Sequence, residues 1–163
     1  MVEWDEQIKA HFFWVWKEEE GGFLKRGREG MLVITDRRLA FISKTEMSFR
    51  MHETHSIRQY NRFKDKENVF RPAEGYGIKE LEKDLDKSPD NFEVPYRQVM
   101  DATSGEKRWG TLLKIKVNLG DNSKTLKFSI VKGWVKYPVK DPLEFQRVDW
   151  APLFGLVKAG QLG

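Results

Sequence analysis

The sequence predicts a mainly β protein with a minor α component: antiparallel strands, a charged helical insertion in the middle and one closing C-terminal helix. Three observations carry this reading. Residues 31–44 and 112–131 each hold two apolar runs separated by a short polar break, and residues 149–158 set Trp150, Leu153, Phe154 and Val157 at helical spacing. At 163 residues the chain has the length of one domain, read here as spanning 1–163 with an inserted charged segment at about 52–90.

Taken in order, residues 3–16 begin with Trp4, Ile8 and Phe12 at helical spacing, which predicts a turn or two of helix, and continue as a strand through Phe13-Trp14-Val15-Trp16. Phe23-Leu24-Lys25 is a short strand before the turn Gly27-Arg28-Glu29-Gly30. In residues 31–44 the two runs meet at Asp36-Arg37, so Ile34 faces Leu39, Val33 faces Ala40 and Leu32 faces Phe41. Both faces of that hairpin are apolar, which predicts a central pair covered on each side. Residues 47–51 are expected to extend the sheet. Residues 52–90 form an excursion with one helix at 76–86, where Ile78, Leu81 and Leu85 share a face; Asp84 and Asp86 are assigned to its solvated side.

Strand character resumes at 92–96 and 99–102. In the second hairpin, Leu113, Ile115 and Val117 alternate with lysines and match Leu126, Phe128 and Ile130 across a loop at 120–123. That register pairs Val117 with Leu126 and Ile115 with Phe128, and sets Lys116 opposite Lys127 on the outer face. Asp141-Pro142 and Asp149 are two candidate helix starts, with Pro152 confined to a first turn.

Charge is segregated along the chain. The formal net charge is +4, yet residues 105–140 hold nine bases against Glu106 and Asp121, whereas residues 74–93 hold seven acids against three lysines. A basic C-terminal half favours an acidic partner, either a phosphate-bearing surface or a negatively charged protein. The chain has no cysteine, which removes disulfides, thiolate zinc sites and thiol catalysis. No long apolar run or leader-like segment is present, so no transmembrane segment is expected and the cytoplasm is the expected location.

The run Gly30-Met31-Leu32-Val33-Ile34-Thr35-Asp36-Arg37-Arg38-Leu39-Ala40-Phe41-Ile42 resembles the GRAM pattern of a glycine, an apolar strand, Thr-(Asn/Asp)-x-Arg-Leu and an aromatic-bearing strand. Val94-Pro95-Tyr96-Arg97-Gln98-Val99 looks like the later stretch of the same pattern. The chain therefore resembles the pleckstrin-homology-like superfold in its GRAM and bacterial branch, with residues 52–90 departing from it as a longer insertion. The resemblance implies a bent antiparallel barrel or sandwich of about seven strands, plugged at one end by the C-terminal helix.

Lipid-binding members of that superfold hold a basic cluster between their first two strands, and Lys25, Arg26 and Arg28 stand at the comparable place here. With Lys116 and Lys127 they are the candidate anionic-ligand residues, since arginine offers a planar fork to phosphate and lysine a mobile charge. Arg37 and Arg38 are assigned a structural role, pairing with Asp36 or a neighbouring carboxylate. The expected function is a non-catalytic binding or adaptor module that recognises a protein or an anionic, phosphate-bearing lipid surface.

The alternative partner is RNA or single-stranded DNA. Lys107, Arg108 and Trp109, with Lys132, Trp134, Lys136 and Tyr137, interleave bases with aromatics, the combination that stacks unpaired bases while neutralising phosphates. Enzymatic readings have less behind them. His52-Glu53-Thr54-His55 lacks the His-Glu-x-x-His spacing that sets a glutamate beside a metal as base, and no nucleophile elbow or phosphate loop occurs. No cofactor, no metal and no catalytic residue are expected.

Overall fold

The computed structural model describes residues 5–20, 27–133 and 144–162. β1 (Ile8–Glu19) pairs with β2 (Arg28–Thr35), and β2 with β3 (Arg38–Ile42). The first hairpin has the register read from the sequence, Leu32 facing Phe41, Val33 facing Ala40 and Ile34 facing Leu39. Thr35 fixes its turn: the hydroxyl oxygen accepts from the N–H groups of Arg37 and Arg38 at 3.0 and 2.9 Å.

Two helices, α1 (Phe49–Lys64) and α2 (Ile78–Lys87), precede β4 (Phe92–Pro95). A single 3-10 turn at Tyr96–Gln98 leads to β5 (Val99–Lys107), then β6 (Gly110–Asn118), β7 (Ser123–Gly133), β8 (Glu144–Phe145) and α3 (Ala151–Leu162). All strand pairs are antiparallel in the order β4-β3-β2-β1-β7-β6-β5, with β8 added to β7. No helix among the described residues is long and apolar enough to cross a membrane.

A bulge in β1 sets the two faces. Phe12 opposes Leu32 while Val15 opposes Gly30, so β1 carries one extra residue there, and Trp14 takes a φ of 55°. A bulky residue in that region stores strain of order 1 kcal/mol. The bulge lets both Phe12 and Val15 enter the main core, with Leu32, Phe41, Leu113, Phe128 and Trp150, while Phe13 points to the other face. Among the described residues, the helical start expected at 3–16 is not formed. Ala10 and Phe12 alternate with His11 and Phe13 and pair with Ile34 and Leu32, so residues 8–12 are strand; Trp4 lies outside the described residues, as does the 23–25 segment.

The second face of the first hairpin is covered by the insertion, where Tyr76 and Leu81 pack on Phe13, Met31, Val33, Ala40 and Ile42. The insertion holds two helices, not one, and residues 47–51 start α1 instead of extending the sheet: the Ser48 hydroxyl accepts from the Met51 N–H at 3.2 Å as its N-cap. The sequence hid α1 because its buried positions are His55, Ser56 and Gln59, polar residues that mark no apolar docking face. Asp84 of α2 is also buried instead of solvated, since it accepts from Thr45 Oγ1 at 2.6 Å, Tyr76 Oη at 2.7 Å and the Glu46 N–H at 2.8 Å.

The β6–β7 register differs from expectation by two residues, which keeps each side chain on its expected face. Ile115 opposes Leu126 and Val117 opposes Lys124, so Lys116 meets Thr125 and it is Lys114 that meets Lys127. Asn118 decides this: its side-chain oxygen accepts from the Gly120 N–H at 2.9 Å, and Gly120 takes a φ of 93°, so the turn closes one residue early over 119–122. At the C-terminus, Asp149 Oδ1 accepts from the Ala151 N–H at 3.0 Å and Pro152 falls in the first turn of α3. Gly160 lets α3 touch the 3-10 turn, because a Cβ there would come within 2.7 Å of the Tyr96 ring. The other candidate start, Asp141-Pro142, lies outside the described residues.

Candidate functional site

At the sheet end formed by the finish of β1, the start of β2 and the β6–β7 turn, inward positions change from apolar to charged. After Val15, the next inward residues of β1 are Lys17 and Glu19, because the bulge at Trp14 has already flipped the alternation. Their side chains are only 12% and 10% exposed. Lys17 Nζ lies 3.4 Å from Glu19 Oε1, and Lys124 Nζ, entering from β7, lies 2.6 Å from the same oxygen. The Lys17 ammonium also stands 5.5 Å from the Phe41 ring centre and 5.2 Å from that of Phe92, with Lys124 5.9 Å from the latter.

Arg28, opposite Lys17 across the β1–β2 ladder, reaches Asp90 Oδ2 at 2.7 Å, and Lys44 Nζ approaches that oxygen at 3.7 Å. The hydrogen bond from Arg28 holds the Asp90 carboxyl below its usual range. Among the described residues, the cluster brings the cations Lys17, Arg28, Lys44 and Lys124 to the carboxylates Glu19 and Asp90. Burial pushes the Lys17 ammonium below its ordinary range, Glu19 pulls it back up, and Lys124 and Arg28 add to the lowering.

Among the residues expected to bind an anion, Arg28 belongs to this cluster. Lys25 and Arg26 lie outside the described residues. Lys116 and Lys127 are not brought to it: they project from the outer face of β6 and β7, Lys116 between Asp101 and Thr125, Lys127 between Glu18 and Lys114. The reason is strand parity, since their neighbours Ile115, Val117, Leu126 and Phe128 take the inward positions. Lys127 instead lines an outer groove of about 330 Å³ with Trp16, Glu18, Trp109, Leu112, Ser129 and Phe145.

The interleaved basic and aromatic set is also dispersed. Arg108 and Trp109 form the β5–β6 turn, next to Lys107 and at the far end of β6 from the charged cluster. Trp109 packs edge-on against Phe145 at 5.0 Å. Lys132 is exposed on β7, and Trp134, Lys136 and Tyr137 lie outside the described residues. Arg38 has the structural role expected of it, bonding Glu6 at 2.9 Å and also Glu82 and Glu93.

Lys17, Lys44 and Lys124 were not singled out in the sequence. The usable signal was the continuation Val15-Trp16-Lys17-Glu18-Glu19, in which a basic and an acidic residue take the alternate positions of an otherwise apolar strand face. His52 and His55 turn inward to flank the Phe13 ring, at 5.3 and 5.4 Å between ring centres. Among the described residues, no group of three histidine, aspartate or glutamate side chains is placed to hold a metal ion.

No protein-family model matches the chain, and no curated protein does.

Proposed function

We propose that the protein is a non-catalytic, pleckstrin-homology-like binding module whose charged sheet end takes a phosphate-bearing anion, as on the surface of an anionic membrane. The observation that carries this reading is the Lys17–Glu19–Lys124 arrangement: two ammonium groups converge on one carboxylate oxygen whose own side chain is only 10% exposed, with Arg28 adjacent. Phosphate oxygens accept charge-assisted hydrogen bonds from ammonium and guanidinium groups, and Lys17, Arg28, Lys44 and Lys124 stand at one sheet end to donate them. The sheet order, the single turn joining β4 to β5 and the helix α3 over the Tyr96 turn support the superfold assignment. The nucleic-acid alternative is less favoured, because Lys107, Arg108 and Trp109 stand at the opposite end of β6 from Arg28 and the Trp109 ring is engaged with Phe145.

Co-sedimentation with vesicles of phosphatidylcholine alone, or containing a phosphoinositide, tests the reading. The protein is expected to pellet with the anionic vesicles only. Lys17→Ala combined with Lys124→Ala lowers that binding by about tenfold or more, whereas Lys116→Ala leaves it unchanged. Equal, negligible pelleting with both vesicle types overturns the proposal.

A further inference from the structure

Half of the large apolar side chains exposed among the described residues lie on one helix. They are Phe49, Met51, Ile57 and Tyr60 of α1, of which Phe49 is 83% exposed; the other four, Met100, Trp109, Leu119 and Leu162, are scattered. Along α1, Phe49, Glu53, Ile57, Tyr60 and Lys64 follow at intervals of four, four, three and four residues. At 3.6 residues per turn they fall within roughly 80° of arc, forming one stripe. His55, Ser56 and Gln59 hold the helix to the body of the protein on a different face. Among the described residues, Glu53 and Lys64 take part in no ion pair, although many other surface charges do.

The stripe is self-complementary in one orientation only. Two copies of α1 packed antiparallel about a two-fold axis set Ile57 against the partner's Tyr60, and in the same register Glu53 against the partner's Lys64, each contact occurring twice. A parallel pair would instead set Glu53 on Glu53 and Lys64 on Lys64. The antiparallel arrangement also opposes the two helix dipoles.

The geometry points to a homodimer formed through α1, with Ile57 and Tyr60 at its centre and Glu53–Lys64 pairs at its ends. One helix pair buries a small interface, so the dimer is a concentration-dependent equilibrium and not a permanent assembly.

Sedimentation velocity of the full chain over a concentration series tests this. The average mass is expected to rise toward that of two chains. Ile57→Asp removes the dimer over the same range, with an unchanged circular dichroism spectrum. Glu53→Lys or Lys64→Glu alone raises the dissociation constant by about tenfold, and the double exchange restores it. Rescue by the double exchange is the decisive readout, since a merely structural effect of either charge would add instead of cancel. A monomer at every concentration, a dimer indifferent to Ile57→Asp, or the absence of rescue overturns the proposal. So does a monomer whose vesicle binding alone falls with Ile57→Asp, because the stripe would then be a lipid contact.

Discussion

The side-chain amide of Gln59 on α1 takes the place of a neighbouring strand for Phe13, accepting from the Phe13 N–H at 2.7 Å and donating to the Phe13 carbonyl at 2.8 Å. The β1–β2 ladder skips Phe13 at the bulge, and β7 joins β1 only from Val15 onward. Both backbone groups of Phe13 would otherwise be buried without partners. One glutamine therefore fastens the helical insertion to the sheet and makes the bulge tolerable.

Gln59→Ala is expected to lower the unfolding free energy by roughly 2–4 kcal/mol, because two buried backbone groups lose their partners at once. Gln59→Glu costs a similar amount, since a carboxylate cannot donate to the Phe13 carbonyl. Urea unfolding measures both, and a loss under about 0.5 kcal/mol would show that water or a shifted strand serves Phe13 equally well.

Arg38 makes the second attachment, gathering Glu6, Glu82 and Glu93 from the segment before β1, from α2 and from β4. Its side chain and that of Glu6 are nearly buried. Arg38→Met leaves three carboxylates facing one another and is expected to destabilise by roughly 3–5 kcal/mol, while Arg38→Lys recovers only part because one ammonium cannot span three acceptors. Thermal unfolding of the two variants distinguishes them, and equal midpoints would refute the fork geometry.

The legible parts of this fold are those where local pattern and tertiary pairing agree. Thr35-Asp36-Arg37-Arg38 is so short a connection that the register of its flanking strands has one solution, and the apolar Val33–Ala40 face already called for a cover. The cover was not legible as two helices, because α1 docks through Gln59 and histidines. The site was hidden for a related reason: the extra residue at Trp14 inverts the alternation, so Lys17 reads as outward until the bulge is known. Lys124 shares the inward parity of Leu126, but the early turn at Asn118–Gly120 sets it opposite Val117.

The three histidines of the chain surround Phe13, and their protonation is expected to loosen the insertion. His11 stacks on Phe13 at 4.4 Å, points Nε2 at the Met31 sulfur, and leaves Nδ1 without a hydrogen-bond partner among the described residues. Burial, then His55 and His52, push its pKa down from 6.5 to about 3. Burial lowers His52 and His55 as well; near His55 the Arg58 and Arg62 guanidiniums add to the lowering while Glu74 opposes it. Since the unfolded chain takes up protons first, stability is complete above pH 6.5 and declines as pH falls toward 3. His11 alone accounts for about 2 kcal/mol between pH 7.5 and pH 5. His11→Phe is expected to shrink the difference between urea midpoints at those two pH values. An unchanged difference would place the acid sensitivity elsewhere.

A substitution at Lys17 is expected to separate binding from stability. Burial makes its charged form less favourable in the folded protein than in water, and Lys124 and Arg28 oppose it further, with Glu19 only partly compensating. Lys17→Met keeps the aliphatic stem against Phe41 and Phe92 and leaves Glu19 with Lys124 at 2.6 Å. The variant is therefore expected to be as stable as the parent or up to about 1 kcal/mol more stable, while its affinity for anionic vesicles falls. A residue present for packing alone would give the opposite pair of results, lost stability with binding retained. Measuring thermal midpoint and vesicle pelleting on the same preparation decides between them, because a cation kept at a folding cost is explained by what it binds.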